Sequence, residues 1–159
     1  MAGLRVNLEA QGTAMAKLAF LIGTWEGELR VHRGAPEPAV FQMTENASWR
    51  LDGLILLIEG VGREMGSEKA ALQAFGFVCY DDAAGTYRMR AFNDGRFLES
   101  AAKLAEDGRG LEWGFAVEHV RTRAVLRINE RGEWTEEHEI MIGEQPARKF
   151  MEVVVRRKR

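Results

Sequence analysis

Phe41-Gln42-Met43-Thr44-Glu45-Asn46-Ala47-Ser48-Trp49-Arg50-Leu51-Asp52-Gly53-Leu54-Ile55-Leu56-Leu57-Ile58 alternates in character along its first half, breaks at Asp52-Gly53, and resumes as an apolar run. Alternation with a period of two puts the apolar residues on one face of a strand. Asp-Gly is a strong hairpin signal, because both central positions of the two-residue turn need positive φ. The register of an antiparallel pair follows. Leu51 faces Leu54, Trp49 faces Leu56, Ala47 faces Ile58 and Glu45 faces Gly60, and directly opposed residues share a face. Glu45 is thus the one anomaly on an apolar face, and it stands opposite a glycine that leaves space.

Outward from this hairpin the same period recurs. Trp25–Val31 alternates, and further strands are expected at Gln73–Asp81, Thr86–Asn93, Arg96–Leu104, Leu111–Val117, Val120–Asn129, Glu133–Ile142 and Arg148–Arg156. Turn residues separate them at Asp81–Gly85, Asp94-Gly95, Asp107–Gly110, Glu130–Gly132 and Gly143–Pro146. Only Thr13–Ile22 reads as a helix, with Met15, Leu18, Ala19 and Ile22 at spacings of three and four, Thr13 as N-cap and Gly23 as stop. Arg63–Leu72 is the one polar connection long enough for a mobile loop. Short connections favour antiparallel neighbours, and about ten such strands curl and close, which removes exposed edges. The expected fold is all-β, a closed antiparallel barrel with a short N-terminal helix, in a single domain over 1–159.

Composition bounds the function classes. The 159 residues are 46% hydrophobic with a formal charge of -2, which gives no bulk electrostatic case for nucleic acid or an anionic membrane. One cysteine, Cys79, excludes an intrachain disulfide framework and a multi-cysteine zinc site; it reads as a small core residue. The start, Met1–Arg5, lacks a basic region followed by a long apolar core, so a cytoplasmic location is expected. The basic segment Arg156–Arg159 reads as a frayed, solvated terminus.

Parity along the strands assigns the lining. Leu111, Trp113, Phe115 and Val117 form an inward stripe, and Val120, Thr122, Ala124, Leu126 and Ile128 form another, backed by outward Arg121, Arg123 and Arg127. The turn at Asp94-Gly95 pairs Arg90 with Glu99 in an outer charge cluster with Arg88. In Trp134–Ile142, an inward Trp134 and Ile140 carry Glu136 and His138 inward with them, since residues i and i+2 share a face. A carboxylate and an imidazole in an apolar interior must pair with each other, with Glu45 or with a ligand. His32 and His119 read as strand-end or loop residues. For the last strand both Phe150/Val154 and Met151/Val153/Val155 are plausible cores.

Leu18-Ala19-Phe20-Leu21-Ile22-Gly23-Thr24-Trp25-Glu26-Gly27-Glu28 resembles the helix-to-first-strand signature of bacterial lipocalin-like barrels of unknown function, in the calycin superfamily, and is distantly similar to the start of nitrobindin-type haem barrels. Trp49–Gly53, Phe75–Asp81 and Gly132-Glu133-Trp134 add to the first resemblance. It implies a barrel closed at one end by the N-terminal helix, with Trp25 near the base. Nitrobindin-type barrels hold haem through a histidine on the last strand. Here Phe150–Val155 has none, so no haem ligand is carried over and no cofactor or metal is expected.

The leading expectation is a binding module for a small hydrophobic or amphipathic molecule, with Trp49, Trp113, Phe115 and Trp134 as apolar wall and Glu45, Glu136 and His138 orienting a polar end. Other readings stay open. His138 with Glu136 could serve an isomerase- or hydratase-type enzyme, His138 could hold haem or a metal, or the barrel could be filled by its own side chains. In that last case the arginine-rich outer strand or an exposed edge could mediate a homodimer; no nucleic-acid or membrane partner is expected.

Overall fold

The computed structural model describes residues 6–93 and 95–159. A helix α1 (Leu8–Ala16) leads through a 3-10 turn (Ala19–Leu21) into β1 (Gly23–Val31), β2 (Ala39–Arg50), β3 (Ile55–Glu64), β4 (Ala70–Asp81), β5 (Thr86–Asn93), β6 (Arg96–Leu104), β7 (Gly110–Trp113), β8 (Ala116–Val117), β9 (Val120–Ile128), β10 (Trp134–Ile142) and β11 (Arg148–Arg157). All pairings are antiparallel. β10 pairs with β9 as well as β11, and β11 pairs with β1, so ten strands close a barrel and β8 is a short extension beside β9. No helix among the described residues is long and apolar enough to cross a membrane.

The hairpin that opened the argument has the expected register, with Trp49↔Leu56, Ala47↔Ile58 and Glu45↔Gly60. The turn closes through Leu54 N–H donating to the Leu51 carbonyl at 3.1 Å, with Asp52 at φ 53° and Gly53 at φ 90°. Leu51 itself has left the ladder and is exposed. Arg90 faces Glu99 and binds it at 2.8 Å; Asp94 of that turn lies outside the described residues.

Four expectations need correction. The helix spans Leu8–Ala16 rather than Thr13–Ile22. Asn7, not Thr13, is the cap, its side chain accepting from Ala10 N–H at 2.9 Å, and Asp82 fixes this end by accepting from Asn7 N–H and from Gln11 Nε2. Met15 near the end of α1 and Leu18 and Leu21 at the 3-10 turn are buried at a strict spacing of three, and Ile22 is only half-buried. The polar connection is also shorter than expected, because Arg63 pairs with Ala70 and Glu64 N–H donates to the Lys69 carbonyl, so both strands run into it. Cys79 lies on the outer face opposite Arg88, since Val78 takes the inward position; partial burial still pushes its thiol pKa up. Finally, Arg156–Arg159 is not frayed. Arg156 binds the buried Glu133 at 2.7 Å, Lys158 binds Glu26 at 2.6 Å, and Arg157 donates to the carbonyls of Phe20 and Ile22.

The closed end is an aromatic plug. Trp25 is buried, donates its indole N–H to the Leu21 carbonyl at 2.9 Å and packs edge-on against Trp134 at 5.5 Å. The Arg157 guanidinium covers the Trp25 ring at 4.1 Å, a cation–π contact. Tyr87 fastens the helix by donating to the Ala14 carbonyl at 2.7 Å. At the opposite end the barrel stays open.

Candidate functional site

The open end leads into a cavity of about 390 Å³, within the range typical of small-molecule pockets. Its existence follows from side-chain size. β3, β4, β5 and β9 contribute Gly60, Ala74, Gly76, Ala91 and Ala124 to the inner surface, so that wall is thin where an ordinary core would be filled. Trp113, Phe115, Phe41 and Met43 supply apolar lining from other strands. Phe115 is held by Thr122, whose hydroxyl accepts from the Phe115 N–H at 3.1 Å while the Thr122 N–H donates to the Phe115 carbonyl at 2.8 Å.

Three titratable side chains stand in the inner part of this cavity, Glu45, Glu136 and His138. Glu136 is 8% exposed and both of its oxygens are engaged. The indole N–H of Trp134 donates to Oε1 at 2.8 Å, and His138 Nε2 shares a hydrogen bond with Oε2 at 2.7 Å. The rings of Trp113 and Phe150 meet the imidazole edge-on at 6.0 and 5.9 Å. The pair is thus locked from below by an indole donor and from the sides by aromatic rings.

Glu45 differs. It is 5% exposed, and no described residue donates a hydrogen bond to it. A Cβ at Gly60 would stand 2.9 Å from each of its carboxyl oxygens, so the carboxyl lies directly over the bare glycine backbone. Burial raises its pKa well above the ordinary carboxylate range, and the neighbouring charge of Glu136 adds to the rise. Among the described residues no three His, Cys, Asp or Glu side chains converge closely enough to hold a metal ion, so Glu45 does not join Glu136 and His138 as a third ligand.

The raised pKa has a consequence for stability. The unfolded chain loses the Glu45 proton near the ordinary carboxylate value, whereas the folded chain keeps it to higher pH. Over that interval the native state binds one more proton, so stability falls as pH rises, by up to about 1.4 kcal/mol per pH unit. Glu45→Gln removes this slope. The variant is expected to match the wild type near the pH where free carboxylates titrate and to exceed its stability at neutral pH, as read by urea denaturation across pH. Parallel curves for the two proteins would show that Glu45 is not held protonated.

Of the seven residues named from sequence, Glu45, Trp113, Phe115, Glu136 and His138 border one cavity. Trp49 and Trp134 do not line it. Trp134 is fully buried in the plug, and its indole orients Glu136; Trp49 is half-buried near the closed end beside Leu56. The lining also includes Arg33, Asn93, Arg96, Phe150 and Met151. Phe41 and Met43 share the parity of Glu45 and could have been found by it. The joint presence of Phe150 and Met151 could not. The β10–β11 ladder pairs His138 with Met151 and Glu139 with Lys149, so Phe150 is the extra residue of a bulge. Bulges re-aim side chains, and here consecutive residues both reach the cavity. Below the bulge Val153 and Val155 are buried and Val154 is exposed, which settles the inward face of this strand.

No family model matches the chain, and no curated protein matches it. A solved structure does: the crystal structure of Rv2717c from M. tuberculosis superimposes with a TM-score of 0.68, covering 92% of this chain and 98% of the other at 15% identity. At that identity the likeness is one of fold.

Proposed function

We propose that the barrel binds a small, largely apolar molecule with one polar group, held with that group on Glu45, Glu136 and His138 and its apolar body against Trp113 and Phe115. The observation that carries this reading is the partnerless carboxyl of Glu45 in a largely apolar cavity open at one end. No described residue donates to this carboxyl, and a ligand in the cavity would supply the missing partner. A barrel with a purely structural role gains nothing from a wall of glycine and alanine, because filling the space with larger side chains would add packing. The Glu136–His138 pair, joined through Oε2 and Nε2, supplies a fixed polar surface beside it.

Native mass spectrometry of the protein purified from its own host is expected to show a co-purified small molecule, released on denaturation and reduced in a Gly60→Leu variant that fills the cavity. Repeated absence of any adduct from correctly folded wild-type protein would overturn the reading.

A further inference from the structure

We propose that the ligand's polar group is a protonated amine, an organic ammonium whose N–H groups dock on Glu45. This rests on the binding reading above and gives its ligand a chemical class.

At the inner part of the cavity the Trp134 indole N–H donates to Glu136, and His138 Nε2 shares a hydrogen bond with the same carboxyl. Two side chains carry acceptor oxygens without a partner. Glu45 receives nothing from any described residue, and the buried Oδ1 of Asn93, nearer the mouth, likewise has none. A ligand that donates gives both of these oxygens a partner. The charges agree. Glu45 and Glu136 both lie at the inner end, whereas the arginines of the lining, Arg33 and Arg96, come from the ends of β1 and β6 at the mouth. An anionic head at the inner end would meet two carboxyl groups and no arginine. The lining also suits an organic cation, since Trp113, Phe115 and Phe150 border the same cavity as Glu45, and aromatic faces attract ammonium groups.

The groups that face Glu45 are few. Glu136 and His138 are the titratable ones of the inner cavity. β1, β3, β4 and β11 contribute Leu29, Ile58, Gly60, Ala74, Gly76 and Val153 there, none of which titrates. Docking an ammonium on a protonated Glu45 releases one proton, and the product is a carboxylate–ammonium pair. Amine affinity therefore rises about tenfold per pH unit while Glu45 is protonated in the free protein. A neutral acceptor ligand, taking a hydrogen bond from the protonated acid, would show no rise and then a fall. The two classes differ in the sign of their pH dependence.

The test is titration calorimetry of the full chain with 2-phenylethylamine, 2-phenylethanol and 3-phenylpropionate at a series of pH values from the ordinary carboxylate range upward. The expected result is that the amine binds at least tenfold more tightly than the alcohol at the upper pH, with affinity climbing with pH, and that the carboxylate binds weakest. Glu45→Gln, nearly isosteric, should remove the amine's advantage while keeping alcohol binding, and its thermal melt checks that it folds. Equal binding of amine and alcohol, an amine affinity that falls with pH, or an advantage that survives Glu45→Gln would overturn the amine assignment and leave the binding reading standing. Should none of the three bind, the assignment fails as well. The binding reading then falls with it only if no molecule co-purifies from the host.

Discussion

Trp25→Ala is expected to destabilise the protein by about 3–5 kcal/mol, the usual cost of deleting a large buried aromatic, and to lower the melting temperature by roughly 10 °C for a chain of this size. The residue is 1% exposed and joins three parts of the plug. Its ring packs on Trp134, its indole N–H holds the Leu21 carbonyl of the 3-10 turn, and its face carries the Arg157 guanidinium. Removing it leaves a cavity beneath the ligand space, an unpaired carbonyl and a cation without its platform. Trp25→Phe keeps most of the burial and loses the indole hydrogen bond, so it should cost about 1–2 kcal/mol. Urea denaturation with a shared slope for all three proteins measures both values. A loss below about 1 kcal/mol for Trp25→Ala would show that the plug does not bear on the barrel's stability.

Gly27→Ala is the second large effect, from the smallest change. Gly27 pairs with Val155 across the seam that closes the barrel. A Cβ there would run into the carbonyl oxygen of Val154 and stand 2.8 Å from the Cα of Val155. Both obstacles are backbone, so no rotamer change relieves them, and the strands must part where the ladder is continuous from Trp25 to Val31. The expected cost is about 3 kcal/mol, the upper part of the usual range for overpacking. Gly34→Ala is a useful contrast, because nothing stands within 4 Å of its added carbon; its φ of +84° is the strain that remains. Denaturant curves should rank Gly27→Ala well below both Gly34→Ala and wild type. Equal stability of the two variants would mean that the seam tolerates separation.

Much of the architecture was legible because strand parity and turn chemistry agree along most of the chain. Thr86–Asn93 and Arg96–Leu104 have the ends read from sequence, and Glu45 faces Gly60 as the turn at Asp52-Gly53 requires. The site was legible to the same depth, since parity alone brings Glu45, Glu136 and His138 to the inner face. What escaped has physical causes. Parity says that Trp134 points inward but not at what depth. Its place in the plug, under Glu136 rather than along the ligand wall, depends on how far each strand is staggered against the next. That Phe150 and Met151 both reach the cavity escaped because a bulge interrupts the period that parity relies on. The helix was displaced because Asp82, distant in sequence, anchors Asn7 and Gln11. Arg157 looked like a solvated end because nothing local announces that a guanidinium will lie on a tryptophan 132 residues away.

The β1–β11 seam also bears on how the chain folds. Every other barrel pairing joins strands close in sequence, but β1 meets only β2 until β11 arrives from the far side of the chain. Non-local pairing of this kind slows folding, because the loop-closure entropy is lost before the contact forms. Until then both terminal strands of the sheet expose unsatisfied N–H and C=O groups, which can template association with another chain. Closure of the seam therefore ends an interval of vulnerability to aggregation, and it sets Arg157 against Trp25 at the first position of the seam.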